Sequence, residues 1–195
     1  MAITYGYCTL NDLKAYLTIA AATDDTRLEN AIEQASRAID HECRRVFYAT
    51  TATRYYQAEA PDFLALPDDL LTVTTLKTDD DGDRTYETTW ATTDYDLTPD
   101  NSSPKTAVRL TPQGRYSFPT HRRGVEIAGS WGYNATDSYP DAINHAAVIL
   151  AARFFKRKDA PFGVLGTPEL GFTRIPRSDS DVRSLLQPFR RLEVV

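Results

Sequence analysis

The sequence predicts an α+β fold: a small antiparallel helical bundle with a large antiparallel β insertion between the second and third main helices. Three observations lead there. In Asp24–Tyr48, Leu28, Ile32, Ala35, Ile39, Cys43 and Val46 recur at steps of three or four, with charged residues between them. That is the period of a helix with one apolar face. Residues 50–133 then lose the helical period and become rich in Thr, Tyr and Val, punctuated by Pro and Gly. A second apolar stripe (Ile143, Ala146, Ala147, Leu150, Ala151, Phe154) returns in Tyr139–Lys158 and is the natural partner of the first. The expected organisation is a helical part, residues 1–49 and 134–195, interrupted by a β subdomain, residues 50–133.

Taken in order, residues 1–7 read as an extended arm. Thr9 is a plausible N-cap for a short helix through Leu17, with Leu10, Leu13, Tyr16 and Leu17 on one face. The long helix starts near Asp24, where Thr26 and Glu29 have capping-box spacing, and Arg44-Arg45 suit its C-terminal dipole. In the insertion, Thr51–Gln57 is a strand, and Phe63-Leu64-Ala65-Leu66-Pro67 a short apolar edge stopped by proline. Leu70–Thr78 and Thr85–Thr92 flank Asp79-Asp80-Asp81-Gly82-Asp83, a hairpin signal. Tyr95–Leu97 and Ala107–Leu110 are short strands around a Pro/Asn/Ser loop. Gly124–Trp131 alternates, with Val125, Ile127, Gly129 and Trp131 on one face. Pro140 suits the first position of the next helix, and Lys156-Arg157-Lys158 its last turn. Asp159–Pro176 holds three Pro and three Gly and reads as irregular. Ser178 is an N-cap candidate for a last helix to about Arg191, ended early by Pro188.

Composition narrows the function. The chain has 195 residues, 42% hydrophobic and 25% charged, and a net charge of −5. This is ordinary for a globular protein and opposes a whole-protein nucleic-acid footprint, which would be basic. Two cysteines do not make a disulfide scaffold and suggest a reducing compartment, with Cys43 a buried thiol. The N-terminus lacks the features of a signal peptide, and no apolar run reaches membrane-spanning length. The acidic run fails as a calcium loop: with Gly82 at the sixth position, Lys77 and Thr88 occupy the ends, where carboxylates are needed. It reads as a solvated hairpin tip. His41, His121 and His145 have no partners at metal-ligand spacing. Ser130 lies outside any nucleophile motif, and Gly163, Gly166 and Gly171 make no phosphate loop. No catalytic residues, cofactor or metal are expected. Eleven Tyr, eight Phe and two Trp exceed the usual need of a core and suit protein interfaces.

Several segments together carry a resemblance. They are Cys43-Arg44-Arg45-Val46-Phe47 closing the long helix, Leu66-Pro67, Leu76-Lys77-Thr78-Asp79 and Tyr95-Asp96-Leu97. Gly124-Val125-Glu126-Ile127-Ala128-Gly129-Ser130-Trp131-Gly132-Tyr133 follows, then Ala151–Gly163 with its Lys-Arg-Lys-Asp-Ala-Pro-Phe-Gly end. The chain thereby resembles the head-tail connector (adaptor, head completion) proteins of tailed phages, prophages and gene-transfer agents.

That resemblance implies a structural protein of the virion, present in the host cytoplasm during assembly. Its copies would form a twelve-fold ring beneath the portal, extend the DNA channel and receive a further connector or tail protein. DNA would pass without sequence-specific binding, and no membrane is involved. Ring closure needs a heterologous interface. Docking on the portal is expected from the C-terminal segment through Phe162, Val164, Leu165, Leu170, Phe172, Ile175, Leu185, Leu186 and Phe189. Ring or channel contacts are expected at Arg37, Arg44, Arg45, Arg122 and Arg123. The alternatives are a nucleic-acid-binding accessory protein of the same particle and, more remotely, a hydrolase using exposed carboxylates.

Overall fold

The computed structural model describes residues 3–136, 138–157, 164–165, 173–174 and 180–191. The chain forms two compact units, Met1–Arg44 with Ser138–Val195, and Arg45–Asp137. The class is mixed α+β, with four α-helices and a six-stranded antiparallel sheet among the described residues.

The first unit is helical. Helix α1 (Leu10–Leu17) starts in a complete capping box: Asp12 N–H donates to Thr9 Oγ1, and Thr9 N–H donates to Asp12 Oδ2. Two orphan amides are satisfied reciprocally. Helix α2 (Asp25–Cys43) has Asp24 at its N-cap without a side-chain cap, so the Thr26–Glu29 box expected from spacing does not form. Both residues lie inside the first turns. Helix α2 is also shorter than its periodicity suggests. Arg44 turns into the left-handed region (φ 54°), and its N–H donates to the Asp40 carbonyl, leaving Val46, Phe47 and Tyr48 outside the helix.

Helix α3 (Asp141–Lys156) packs along α2, and α1 and α4 (Ser180–Leu186) pack against α3. The buried faces are Leu28, Ala31, Ile32, Ala35, Ile39 and Cys43 on α2, and Ile143, Ala146, Ala147, Val148, Ala151 and Ala152 on α3. The last helix is shorter than expected and passes into a 3-10 turn, Gln187–Phe189, with Pro188 inside it. The expected cap at Ser178 lies outside the described residues.

Within the segment read as irregular, the described residues pair as strands. Val164–Leu165 (β7) pairs antiparallel with Thr173–Arg174 (β8).

The second unit is one sheet in the order β1-β6-β2-β5-β4, with β3 beside β2. The strands are β1 (Thr50–Tyr56), β2 (Phe63–Thr78), β3 (Thr88–Thr89), β4 (Tyr95–Thr98), β5 (Lys105–Leu110) and β6 (Val125–Trp131). Two expected strands are therefore one. Pro67 does not stop β2, because it falls between Ala65 and Leu70, where the register to β5 shifts and no ladder N–H is required.

The expected partner strand Thr85–Thr92 shrinks to two residues. Its upstream amides are taken by acids: Gly82 and Arg84 donate to Asp79, Asp83 to Asp81, and Thr85 to Asp83. Short acidic side chains compete with the ladder in this way.

The core of this unit gathers Tyr56, Leu64, Leu66, Leu70, Leu76, Trp90, Tyr95, Val108, Phe118, Val125, Ile127 and Trp131. The indoles are satisfied inside it: Trp131 Nε1 donates to the Ala52 carbonyl at 2.9 Å, and Trp90 Nε1 to Thr78 Oγ1 at 3.2 Å. Burial and the neighbouring Asp68 raise the Tyr56 hydroxyl far above its ordinary range.

Candidate functional site

The N-terminal arm and the polar side of α2 make one arrangement. Thr4 N–H donates to Glu33 Oε1 at 2.7 Å, and Tyr7 N–H to Ser36 Oγ at 2.9 Å. The Tyr7 hydroxyl donates to Asp40 Oδ1. Arg37 Nη2 donates to the Tyr5 carbonyl at 3.0 Å, its Nε lies 3.0 Å from Asp40 Oδ2, and its guanidinium stands over the Tyr7 ring. The Tyr7 ring also meets Tyr139 edge-on at 4.7 Å, and Asn144 Nδ2 reaches the Tyr7 carbonyl. Sequence spacing marked the polar face of α2 as free for solvent or a neighbour. The arm occupies part of it, and an arm with no periodicity carries no signal of where it lies.

Nearby, Cys8 is buried, and that burial, with the Asp12 charge adding to it, pushes its thiol up to about 12. It is an inert core group rather than a nucleophile.

The five arginines expected at ring or channel contacts have different settings. Arg37 is held as described. Arg44 is exposed at the end of α2. Arg45 lies largely buried, 3.5 Å from the buried Asp69 carboxylate and 5.0 Å from the centre of the Tyr133 ring. Around it the chain is clasped: Tyr133 N–H donates to the Val46 carbonyl, Asn134 to Phe47, and Gly132 to Asp69. Gly132 is required there, since at φ 139° a Cβ would meet the Tyr48 carbonyl oxygen at 2.2 Å.

Arg122 and Arg123 are both exposed, just before β6. Arg123 takes a left-handed conformation (φ 62°). Its carbonyl accepts from the Tyr86 hydroxyl at 2.9 Å, and its guanidinium stands 4.3 Å from the Tyr55 ring centre. Tyr55 and Tyr86 pack at 5.6 Å. The structure thus brings Arg123, Tyr55 and Tyr86 together from three separate segments.

Of the residues expected to dock on the portal, Phe162, Leu170, Phe172 and Ile175 lie outside the described residues. Val164 and Leu165 form β7. Leu186 is buried, and Leu185 and Phe189 are half-buried. The C-terminal part is tied to its own unit: Arg191 N–H donates to the Cys43 carbonyl at 2.9 Å, and Arg190 Nε lies 3.6 Å from Glu42.

The acidic loop is more ordered than a solvated tip. Asp79 is 1% exposed, while Asp80, Asp81 and Asp83 face solvent. Burial works against the Asp79 charge, but the Gly82 and Arg84 amides and His121, 3.6 Å away, outweigh it and hold the carboxyl below its usual range. Asp79, Asp81, Asp83 and Glu87 place carboxylate oxygens within 4.8 Å of one another, a grouping that the spacing test missed because it was framed on Gly82. The Asp79 oxygens are already committed to loop amides, so the cluster's demonstrable role is to shape the turn. His41 and His145 are exposed on different helices.

Residues 7–77 match the family model described as phage gp6-like head-tail connector protein. No curated protein matches the sequence. Among solved structures, a chain from the neck of an empty gene transfer agent particle, computed with C6 symmetry, superposes with a TM-score of 0.64 at 19% identity. The superposition covers 100% of this chain and 95% of the other. A chain from the virion of a native gene transfer agent particle gives 0.64 at 20% identity, covering 100% and 95%. A chain from the neck of a native particle, computed with C12 symmetry, gives 0.58 at 20% identity, covering 100% and 94%. At these identities the structural likeness concerns the fold.

Proposed function

We infer that the chain is a structural head-tail connector of the virion neck, because residues 7–77 match the phage gp6-like head-tail connector model. That match is the observation that carries the reading. It spans α1, α2, β1 and β2 through Lys77, and so includes elements of both units. The fold shared along the full chain with gene transfer agent neck and virion components supports it. The protein works at the head-tail interface of a phage or gene-transfer-agent particle, by binding rather than by catalysis.

The finer reading is that copies of this chain close a ring beneath the portal, extend the DNA channel and present a lower face to the next connector or tail protein. The C12 symmetry of one similar neck supports a twelve-membered ring. In this reading the segment from Asp159 onward docks on the portal through Phe162, Val164, Leu165, Leu170, Phe172, Ile175, Leu185, Leu186 and Phe189. Its Gly/Pro-rich, apolar-spiked composition suits a segment that orders on binding.

The test is portal capture. The full chain is expected to bind a purified portal ring in native mass spectrometry with about one copy per portal subunit. A chain truncated after Lys158 is expected to lose that binding, and normal binding by the truncated chain would refute C-terminal docking.

A further inference from the structure

We propose that the end of the helical unit where α3 finishes is a cationic seat for an acidic surface of the portal, at the foot of the docking segment. This rests on the docking reading above and names the chemistry of the surface that receives it.

The charge of α3 is polarised. Its single acid, Asp141, lies in the first turn, and Arg153 and Lys156 lie in the last, followed by Arg157 at the C-cap and Lys158 in the sequence beyond it. A helix C-terminus carries a partial charge of about −0.5, which one cation offsets. The four cations of Arg153–Lys158 exceed that need. Lys156 and Arg157 are exposed, and neither forms an ion pair among the described residues.

The Arg27 guanidinium stands over the Phe155 ring at 5.6 Å, so the first turn of α2 lies beside the last turn of α3. The acids at the start of α2 are already paired, Asp24 with Arg27 at 3.4 Å and Asp25 with Lys14 at 2.5 Å. The fold also puts the start of the docking segment here. At the opposite end of the unit, Tyr7 joins Asp40, late in α2, to Tyr139, just before α3, so α2 and α3 run antiparallel. Arg191 N–H, beyond α4, reaches the Cys43 carbonyl at that same opposite end. The chain therefore leaves the helices beside Lys156 and Arg157 and is pinned again at the far end of α2. A portal surface held by the segment after Lys158 meets these two cations as well.

The occupant is protein rather than DNA. A nucleic-acid site needs cations spread along a backbone and is usually part of a basic domain. Here two exposed cations sit at one helix end, in a chain of net charge −5. An acidic protein surface needs no more, because opposite charges across a contact speed encounter and fix orientation.

The experiment measures binding of the full chain to a purified portal ring by native mass spectrometry and by sedimentation across a salt series, with a duplex DNA gel shift alongside. Lys156→Glu with Arg157→Glu is expected to weaken portal binding by about tenfold or more at about 50 mM salt, through like-charge contact. The difference from wild type is expected to shrink at about 500 mM salt, where exposed charges are screened. Lys156→Ala with Arg157→Ala, which adds no acid beside the helix dipole, is expected to lose about threefold. Arg84→Glu with Arg115→Glu, an equal change of charge in the sheet unit, is expected to bind within about twofold of wild type. Circular dichroism separates misfolding from lost contact, and the alanine pair reports on the seat if the glutamates disturb the helix. Equal portal binding by wild type and both the glutamate and alanine variants would overturn this proposal and leave C-terminal docking standing. An equal loss in the Arg84 and Arg115 variant would overturn it too, since net charge rather than this end would then govern binding. Duplex binding by the wild-type chain that the glutamate variant loses would assign the seat to DNA and overturn the portal as its occupant. A wild-type chain that fails to bind the portal ring even at about 50 mM salt would overturn the docking reading itself.

Discussion

In the helical unit the buried faces of α2 and α3 are built on small residues: Ala31, Ala35 and Ser36 on one helix, Ala146, Ala147, Ala151 and Ala152 on the other. In the sheet unit the core is filled by large rings, Tyr56, Trp90, Tyr95, Phe118 and Trp131, with Trp90 stacked on Phe118 at 4.6 Å. The difference follows from geometry. Helix axes approach as closely as the side chains between them allow, so alanine tightens the contact. The core of the sheet unit is drawn from several strands and the segments between them, and aromatic side chains fill such a space with the most area per residue. Volume changes should therefore act with opposite sign in the two units. Both tryptophans of the chain lie in the sheet unit, so indole fluorescence reports on that unit and far-UV ellipticity mainly on the helices.

The largest expected effect is from removing volume where the core is large. Trp131→Ala deletes a fully buried indole and its bond to Ala52, and should cost the sheet unit about 3–5 kcal/mol. The remaining Trp90 emission in a urea titration measures it. A loss under about 1 kcal/mol would mean the aromatic core is loosely packed.

Adding volume where the core is tight comes next. Ala147→Leu, at a position with no exposure, should cost about 1–3 kcal/mol through overpacking and should shift the helical signal first. If indole fluorescence moves by the same amount, the two units unfold as one cooperative block and the comparison reduces to one of composition.

The smallest effect sharpens how each helix starts. Thr9→Ala should cost about 1 kcal/mol, because Thr9 completes a capping box, whereas Thr26→Ala should stay within about 0.5 kcal/mol. The Thr9 side-chain and backbone hydrogen bonds hold the Asp12 carboxyl below its ordinary range. A carboxyl depressed in the folded state stabilises above the ordinary carboxyl range, and that contribution disappears as pH falls through the depressed value. The Thr9→Ala deficit should accordingly be full at neutral pH and shrink in acid, as thermal melts across the range would show.

Periodicity made the helices legible because a helix face is a local property, readable from spacing three and four. It failed at their ends. The left-handed turn at Arg44 coincides with a clasp in which distant residues, Tyr133 and Asn134, take the carbonyls of Val46 and Phe47. Alternation likewise identified β6 and its inward face, where Gly129 sits because a Cβ would strike the Thr72 carbonyl oxygen at 2.1 Å. It could not show that Phe63–Thr78 is a single strand, since the proline that spoils the pattern falls where the ladder makes no demand on it.

The sequence by itself therefore determined the mixed class, the amphipathic helices, the absence of a motif for catalysis and the resemblance to head-tail connectors, all carried by short-range pattern and composition. The tertiary structure alone decided which charges are spent inside the chain and which remain outside. Arg37 and Arg45 look like Arg122 and Arg123 in the sequence. Only the arm laid on α2 and the buried Asp69 separate them, because a charge is committed by what packs beside it and not by its neighbours along the chain.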